Sequence, residues 1–94
     1  MVKVFYDDIT YIESLKDYSR IFTATEAPLV VRGQISEMED FFKDQSFLRI
    51  HRSYIVALDK IKAYSATEVE VAGKNLPIGR TYKELVAKAM QDYL

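Results

Sequence analysis

The sequence contains no cysteine and a single histidine, His51. Without cysteine the chain has no disulfide framework, no thiol nucleophile and no thiolate metal site. One histidine also excludes any metal site that needs two. No apolar run reaches the roughly 20 residues of a membrane-spanning helix, and the first residues lack the apolar stretch of a signal peptide. We therefore expect a cytoplasmic domain with no membrane partner, no metal and no cofactor.

Glycine and proline are also scarce, with 3 and 2 among 94 residues, so the chain is neither a linker nor a low-complexity segment. Hydrophobic residues make up 49% and charged residues 29%, which is enough to build the core of one small domain. Basic and acidic residues nearly balance at 13 against 14, which alone argues against a nucleic-acid binder. The charges are segregated along the chain, however: acids dominate residues 35–44 and bases dominate residues 45–65. Their positions therefore matter more than their sum.

Alternating apolar and polar residues predict a fold built mainly of short β-strands. In residues 9–13 the alternation places Ile9 and Tyr11 on one face and Thr10 and Ile12 on the other. Residues 14–17 are polar and predict a loop, and Pro77 predicts an edge strand. No β-α-β rhythm is present, so a parallel sheet is not expected. The predicted strands are residues 2–6, 9–13, 18–25, 29–32, 47–50, 61–65, 67–72 and 76–79, with a turn at Asp7-Asp8 and a hairpin turn at residues 73–75.

Two short helices are predicted between and after the strands. Ser36 and Glu39 fit a capping box, in which each side chain accepts a hydrogen bond from a free backbone amide at the helix start. Thr81 and Glu84 fit a second one, and apolar residues with helical spacing continue to Tyr93. The acids of the first helix, in our interpretation, form a solvated outer face.

Few residues offer catalytic chemistry. The three glycines are too far apart in sequence for a phosphate-binding loop. His51 and Ser53 would share one face of a strand, which leaves a small hydrolase as a hypothesis. No glycine elbow or oxyanion loop accompanies them, so we expect no enzymatic activity and no small-molecule substrate.

Residues 47–54, with the sequence FLRIHRSY, interleave two arginines, a histidine and hydroxyl groups with apolar residues. Arginine presents a rigid fork of donors to guanine edges or phosphates, and hydroxyl groups can reach phosphate oxygens. The same segment could instead be a strand whose arginines pair with the acidic helix, with His51 hydrogen-bonded in the interior. The spacing does not decide between these two interpretations.

The same residues resemble the signature of the LytTR family of bacterial DNA-binding domains. The stretch FLRIHRSYIV at residues 47–56 carries the signature, and ITYIES at residues 9–14 with Tyr18 is similar to an earlier family block. LPIGR at residues 76–80 with Tyr82 is similar to a later one. The three blocks occur in the family's order and cover about residues 9–86. Two positions differ from the family pattern, because Ala57 replaces an asparagine and Gly79 replaces a small hydroxyl residue.

The resemblance implies short, mostly antiparallel β-sheets with two small helices, in a single domain over residues 1–94 that forms the C-terminal part of a longer regulator. It also implies the output domain of a two-component response regulator, behind a receiver domain. Such domains bind direct repeats in double-stranded promoter DNA as two copies, with loops rather than a helix in the major groove. A protein-interaction module on the same fold remains the alternative, and it would be favoured if Glu37, Glu39 or Asp40 neutralised the arginines.

Carried onto this sequence, the resemblance implies three groups of site residues. Base contacts fall to Arg52, Arg80 and Ser19, and phosphate contacts to Lys16, Arg20, Thr81 and Lys83. His51 and Ser53 are expected to orient the signature loop rather than to touch bases.

Overall fold

The computed structural model describes residues 5–43 and 45–93, which form a mostly antiparallel β fold with two helices. This confirms the predicted fold class. Of the strand predicted at residues 2–6, residues 2–4 lie outside the described residues. Tyr6 is not in a strand, because Tyr6–Asp8 forms a 3₁₀ turn. The strands are β1 (Ile9–Leu15), β2 (Tyr18–Thr23), β3 (Leu29–Arg32), β4 (Phe47–His51), β5 (Tyr54–Ala57), β6 (Ile61–Tyr64), β7 (Glu68–Val71) and β8 (Lys74–Pro77), and the helices are α1 (Ile35–Phe41) and α2 (Lys83–Tyr93).

The strands form a five-stranded sheet in the order β3-β2-β1-β5-β4 and a three-stranded sheet in the order β6-β7-β8. Every pairing is antiparallel. The central pairing joins β1 to β5, with Tyr11 opposite Val56 and Glu13 opposite Tyr54. Pro77 lies in the edge strand β8, as predicted, where its missing N–H breaks no ladder.

The five-stranded sheet is buried on both faces. One face packs against the three-stranded sheet and α2, and its core includes Tyr11, Ile50 and Val56 with Val69, Val71 and Met90. The other face packs against α1, and its core consists of Ile9, Ile12, Ile21, Ile35, Phe42 and Ile55. Neighbouring residues of β5, Ile55 and Val56, thus serve opposite cores, which is why the signature segment contains an unbroken apolar run.

A β-bulge in β1 makes one predicted face assignment wrong. The β1–β2 register shifts between Ile9, which pairs with Thr23, and Tyr11, which pairs with Phe22. The extra residue turns Ile9 to the face of Ile12, away from Tyr11. The Thr10 hydroxyl, within this irregular stretch, donates to the Phe22 carbonyl at 3.1 Å. A face assignment based on strict alternation of apolar and polar residues does not include such an extra residue.

The β1–β2 and β7–β8 hairpins also differ from the prediction. Residues 14–17 are not a loop, because β1 continues to Leu15, opposite Tyr18, and only Lys16-Asp17 forms the turn. Lys16 adopts a positive φ of 61° there. In the small sheet the turn is Ala72-Gly73 rather than residues 73–75, with φ values of 52° and 75°. Positive φ at both positions matches the twist of a two-residue hairpin.

Both predicted capping boxes are wrong in position. Helix α1 begins at Ile35, and its box is formed by Gln34 and Glu37, whose Oε2 accepts the Gln34 N–H at 2.6 Å. Ser36 therefore lies inside the helix. Thr81 lies inside a 3₁₀ turn, Arg80–Tyr82, so that α2 begins only at Lys83. At the two ends of α1, Ile35 and the C-cap residue Phe42 are buried, whereas Phe41 is 67% exposed.

Candidate nucleic-acid interface

Several segments that are distant in sequence meet at one end of the five-stranded sheet. Because Glu13 pairs with Tyr54, the Lys16-Asp17 turn and the Arg52-Ser53 turn lie side by side. The Ser14 N–H donates to the Ser53 carbonyl at 2.9 Å and joins them directly. The end of β3 arrives at the same place, since Arg32 pairs with Tyr18. We call this surface the turn end.

Arg80 reaches the turn end by way of Gly79. The Gly79 N–H donates to the Ile50 carbonyl at 2.8 Å, which fixes this segment against the last residues of β4. A Cβ on Gly79 would lie 3.0 Å from the Tyr82 ring and 3.5 Å from His51. The glycine that departs from the family pattern therefore permits a close approach, and it does not leave Arg80 on a free loop. The other departure, Ala57, is buried in β5, at 1% exposure.

Four cations among the predicted site residues are available to a ligand. Lys16, Arg52, Arg80 and Lys83 are all exposed. Within residues 5–43 and 45–93 none of them forms an ion pair with another side chain. Thr81 is also exposed, in the 3₁₀ turn that precedes α2. Of the four cations, Lys16, Arg52 and Arg80 lie at the turn end, where unpaired cations produce the local positive potential that a phosphate backbone requires.

Two predicted residues are engaged within the protein. The Ser19 side chain is fully buried, and its hydroxyl donates to the Gly33 carbonyl at 2.8 Å. A base contact from Ser19 would require this bond to open, so that role stays a prediction. Arg20 is half-buried and donates to Glu13 at 3.3 Å, with its guanidinium 6.0 Å from the Phe22 ring. Its contact with phosphate would draw it away from Glu13.

His51 lies directly before the Arg52-Ser53 turn, which we call the signature turn. Its Nδ1 accepts the Ser53 N–H at 3.0 Å, which is the geometry of a residue that orients a turn. Burial, and then the charges of Arg52 and Arg49, lower the pKa of His51 below its ordinary value. The neutral ring can therefore keep accepting this bond at neutral pH. Because the imidazole accepts the amide and not the Ser53 hydroxyl, the pair lacks the contact that a nucleophilic serine requires.

Arg49 was not among the predicted site residues, yet its side chain forms three hydrogen bonds and lies 5.8 Å from the centre of the Tyr82 ring. Its Nε donates to the His51 carbonyl and its Nη2 to the Arg52 carbonyl, both at 2.7 Å. Its Nη1 pairs with Glu39 of α1 at 2.8 Å. Pairing with the acidic helix was the alternative for this segment, and it applies to Arg49 only. Among the described residues, no acid neutralises Arg52 or Arg80.

Arg32 is a second residue that the sequence analysis did not select. It is exposed at the turn end, opposite Tyr18, and the next residue, Gly33, donates its N–H to the Asp17 carbonyl at 2.8 Å. The signal was its place at the end of a predicted strand, directly before Gly33. For Arg49 no local pattern indicates the contacts, since the β4–β5 register shifts between Arg49 and His51 and interrupts the alternation there.

Other kinds of site receive no support from the described part of the chain. It contains no group of three or more His, Cys, Asp or Glu side chains placed to hold a metal ion. The described clefts, of about 190 to 300 Å³, are lined by residues other than His51 and Ser53. No described helix combines the length and apolar character needed to cross a membrane.

Comparison with known proteins identifies the family. Residues 1–91 match the family model of the LytTr DNA-binding domain. The structure is similar to the LytTr DNA-binding domain of a methyl-accepting/DNA response regulator from Bacillus cereus, with a TM-score of 0.81 and 25% identity over 95% of this chain and 86% of that one.

A sequence relative is the CO-responsive transcriptional regulator RcoM of Rhodospirillum rubrum, 37% identical over 82 residues. The match covers 77% of this chain and 33% of the regulator, so this chain spans about a third of its relative's length. The turn end, the antiparallel sheets and these matches lead to one conclusion: the chain belongs to the LytTR family of DNA-binding domains.

Proposed function

We propose that this domain recognises promoter DNA in a sequence-specific manner through the turn end and thereby regulates bacterial transcription. One observation carries the proposal: exposed, unpaired cations from separate segments converge on one end of a rigid sheet. Membership of the LytTR family supports DNA as the ligand. The turns project beyond the strand ends, and the major groove, about 12 Å wide, can admit such elements.

Arg52 and Arg80 are the proposed base contacts. Each is exposed on a short turn anchored by backbone hydrogen bonds, so its fork of donors starts from a fixed backbone. A bidentate pair with a guanine edge discriminates against other bases by about 1–3 kcal/mol. Ser19 could add a base contact only after leaving Gly33. His51 and Ser53 orient the turn that carries Arg52.

Lys16, Arg20, Thr81 and Lys83 are the proposed phosphate contacts. Contacts to phosphate position a protein on the duplex and contribute affinity that depends on salt and not on sequence. Thr81 and Lys83 adjoin the start of α2, where backbone N–H groups add to the positive potential. Arg20 contributes to DNA affinity once its guanidinium leaves the Glu13 carboxylate and pairs with a phosphate.

The proposal includes the assembly in which the domain acts. A longer response regulator of the bacterial cytoplasm would carry this domain behind a receiver domain, in a two-component phosphorelay. Two copies would occupy a pair of direct repeats, because a second linked contact raises the overall affinity through effective concentration. The response regulator with the similar domain and the longer transcriptional regulator support this arrangement.

The test begins by selecting duplexes from a random library with the wild-type domain. Binding to the selected duplex and to a shuffled one is then measured for the wild type, Arg52→Ala and Arg80→Ala. Each variant should lose preference for the selected duplex by about 1–3 kcal/mol. The control is Lys62→Ala, which removes an exposed cation from β6 and should preserve the preference.

Two outcomes would contradict the proposal. Unchanged preference in both arginine variants would show that the base contacts are assigned to the wrong residues. Failure of the wild type to enrich any sequence, both alone and as a covalently joined pair, would leave the protein-interaction module as the function.

A further inference from the structure

The Arg49 side chain links three elements of the fold. Its Nη1 pairs with Glu39 on α1, and its Nε and Nη2 donate to the two carbonyls of the signature turn. Its guanidinium lies 5.8 Å from the centre of the Tyr82 ring, in the turn that begins with Arg80. We call this set of contacts the Arg49 junction.

The two carbonyls define what the junction holds. The His51 carbonyl belongs to the peptide unit before Arg52, and the Arg52 carbonyl to the unit after it. Both bonds measure 2.7 Å, which is at the short end for N–H···O contacts and typical of a charged donor. With both flanking peptide units fixed, the direction in which the Arg52 side chain leaves the backbone is also fixed.

Arg49 itself faces the protein interior. Its side chain is only 10% exposed, whereas Arg52 is exposed on the adjacent turn. A cation that is mostly withdrawn from water and already donates to three oxygens has little capacity left for phosphate. The planar fork is needed for this arrangement, since a lysine has one nitrogen and cannot span the same three acceptors.

The junction also reaches the second proposed base contact. Tyr82 packs against the Arg49 guanidinium, and the Tyr82 N–H donates to the Gly79 carbonyl at 2.9 Å. The Gly79 N–H in turn donates to Ile50, the residue after Arg49. The turns that carry Arg52 and Arg80 are therefore supported by the same side chain.

We propose that Arg49, held by Glu39, is a positioning residue that sets the orientation of Arg52 and Arg80 relative to each other for recognition of DNA. This inference rests on the proposed function. Arg49 need not touch DNA. Removing it should lower the preference for the selected sequence and leave general affinity for DNA in place.

The experiment compares Arg49→Gln and Arg49→Lys with the wild type on the selected duplex and on a shuffled one, over a range of salt concentrations. We expect both variants to lose about tenfold in preference, comparable to the loss of one charge-assisted hydrogen bond. The dependence of shuffled-duplex binding on salt should stay the same. If lysine restores the preference, or if Arg49→Gln reduces the salt slope by about 1, Arg49 acts as a charge that contacts phosphate and the inference is overturned.

Glu39 offers a matched pair of variants on a second element. Glu39→Gln and Asp40→Asn each remove one negative charge from neighbouring exposed positions of α1. Of these two carboxylates, only that of Glu39 contacts Arg49. Glu39→Gln should therefore lower the preference and Asp40→Asn should not. Equal effects from the two variants would attribute the change to charge alone and would contradict the inference.

Hydrogen exchange in the protein without DNA separates this inference from the proposed function. In Arg49→Gln the amides of Ser53 and Gly79 should exchange faster, whereas the Ile78 amide, bonded to Thr67, should not change. If the wild type shows no sequence preference, the proposed function fails, and faster exchange confined to Ser53 and Gly79 still supports the positioning role. Unchanged exchange at both amides would overturn it.

Discussion

At the scale of single residues, the turn end separates side chains that face a ligand from side chains that hold the backbone. Arg52 and Arg80 are exposed and unpaired within the described residues, whereas Arg49 and His51 use their nitrogens on backbone groups. Residue type does not predict this division, since Arg49 and Arg52 are three positions apart in one signature. The division instead depends on direction: the Arg49 side chain points into the protein, whereas Arg52 is exposed on the turn.

His51 provides a prediction about pH. Burial is the main cause that lowers its pKa, and the neighbouring charges of Arg52 and Arg49 act in the same direction. The unfolded chain, with an ordinary pKa near 6.5, then binds a proton before the folded protein does. The contribution of His51 to stability is full above about pH 6.5 and is lost as the pH falls from there through the lower pKa of the folded protein.

An NMR titration of the His51 ring should therefore give a pKa below 6.5 in the folded protein. In Arg52→Ala the value should move upwards, because one of the two neighbouring positive charges is gone. Protonation of Nδ1 also removes the acceptor for the Ser53 N–H, so the Ser53 amide signal should shift over the same pH range. A pKa at or above 6.5 in the wild type would contradict the burial of this ring.

At the scale of elements, the β1–β2 hairpin combines backbone strain with a proposed phosphate contact. Lys16 has a φ of 61°, a conformation that costs a non-glycine residue about 1–2 kcal/mol. Glycine adopts this conformation without strain but loses about 0.5–1 kcal/mol more conformational entropy on folding than alanine does. Lys16→Gly should therefore be more stable than Lys16→Ala by about 0.5–1 kcal/mol in denaturant unfolding.

The same two variants should behave alike towards DNA. Each removes the Lys16 charge, so binding to shuffled and selected duplexes should weaken equally and the salt slope should fall by about 1. Suppose that Lys16→Gly is more stable than Lys16→Ala but binds DNA more weakly than the wild type. A lysine is then present at this strained position for its charge. If affinity followed stability instead, Lys16 would have a purely structural role.

The elements also show how far the sequence alone predicts the structure. Residues 18–23 of the strand predicted at residues 18–25 form β2, and their alternation directs Phe22 towards one core and Ile21 into the other. Ile9 was assigned to the wrong face because a bulge adds one residue to the count. The capping box of α1 was predicted at the wrong position. Serine is a common N-cap residue, so Ser36 was chosen, but the N-cap residue in the structure is Gln34.

The candidate site was predicted unevenly for a similar reason. The motif blocks supplied Arg52 and Arg80, which are exposed and form no ion pair with any residue that the structure describes, in agreement with a ligand contact. Arg49 was not selected, because its contacts depend on α1 and Tyr82, which are distant in sequence or on another element. The burial of Ser19 depends on β3 and the Gly33 carbonyl, a pairing that no local pattern indicates.

At the scale of the whole molecule, charge is distributed between the two ends of the five-stranded sheet. The turn end carries Lys16, Arg32, Arg52 and Arg80, which outnumber the acid of the same turns, Asp17. The opposite end carries the Asp7-Asp8 pair before β1 and Asp59 after β5, with Lys60 paired to Asp59 at 3.5 Å. Strand β1 spans seven residues between the two ends, about 23 Å at about 3.3 Å per residue. The Debye length is about 8 Å at physiological salt, so the acids of the opposite end barely affect a ligand at the turn end.

The net charge of −1 should accordingly be a poor guide to DNA binding. If Lys16, Arg20 and Lys83 each neutralise one phosphate, the slope of log affinity against log salt for the single domain should be about −3. Asp7→Asn removes one negative charge at the opposite end, which brings the net charge of the chain to zero, and it should leave that slope unchanged. A slope near zero in the wild type, or a slope that changes in Asp7→Asn, would contradict binding through the turn end.

The strand order has a further consequence for how the chain folds. Strand β1 occupies the centre of the five-stranded sheet, and its register pairs Tyr11 with Val56, far along the chain. Closing this pairing costs loop entropy before any contact between β1 and β5 forms, so a fold of this kind acquires its structure in milliseconds to seconds rather than microseconds. During synthesis the β1–β2 hairpin has an unpaired edge until β5 leaves the ribosome. The Lys16-Asp17 turn and the Arg52-Ser53 turn become neighbours only when the pairing of β1 with β5 closes.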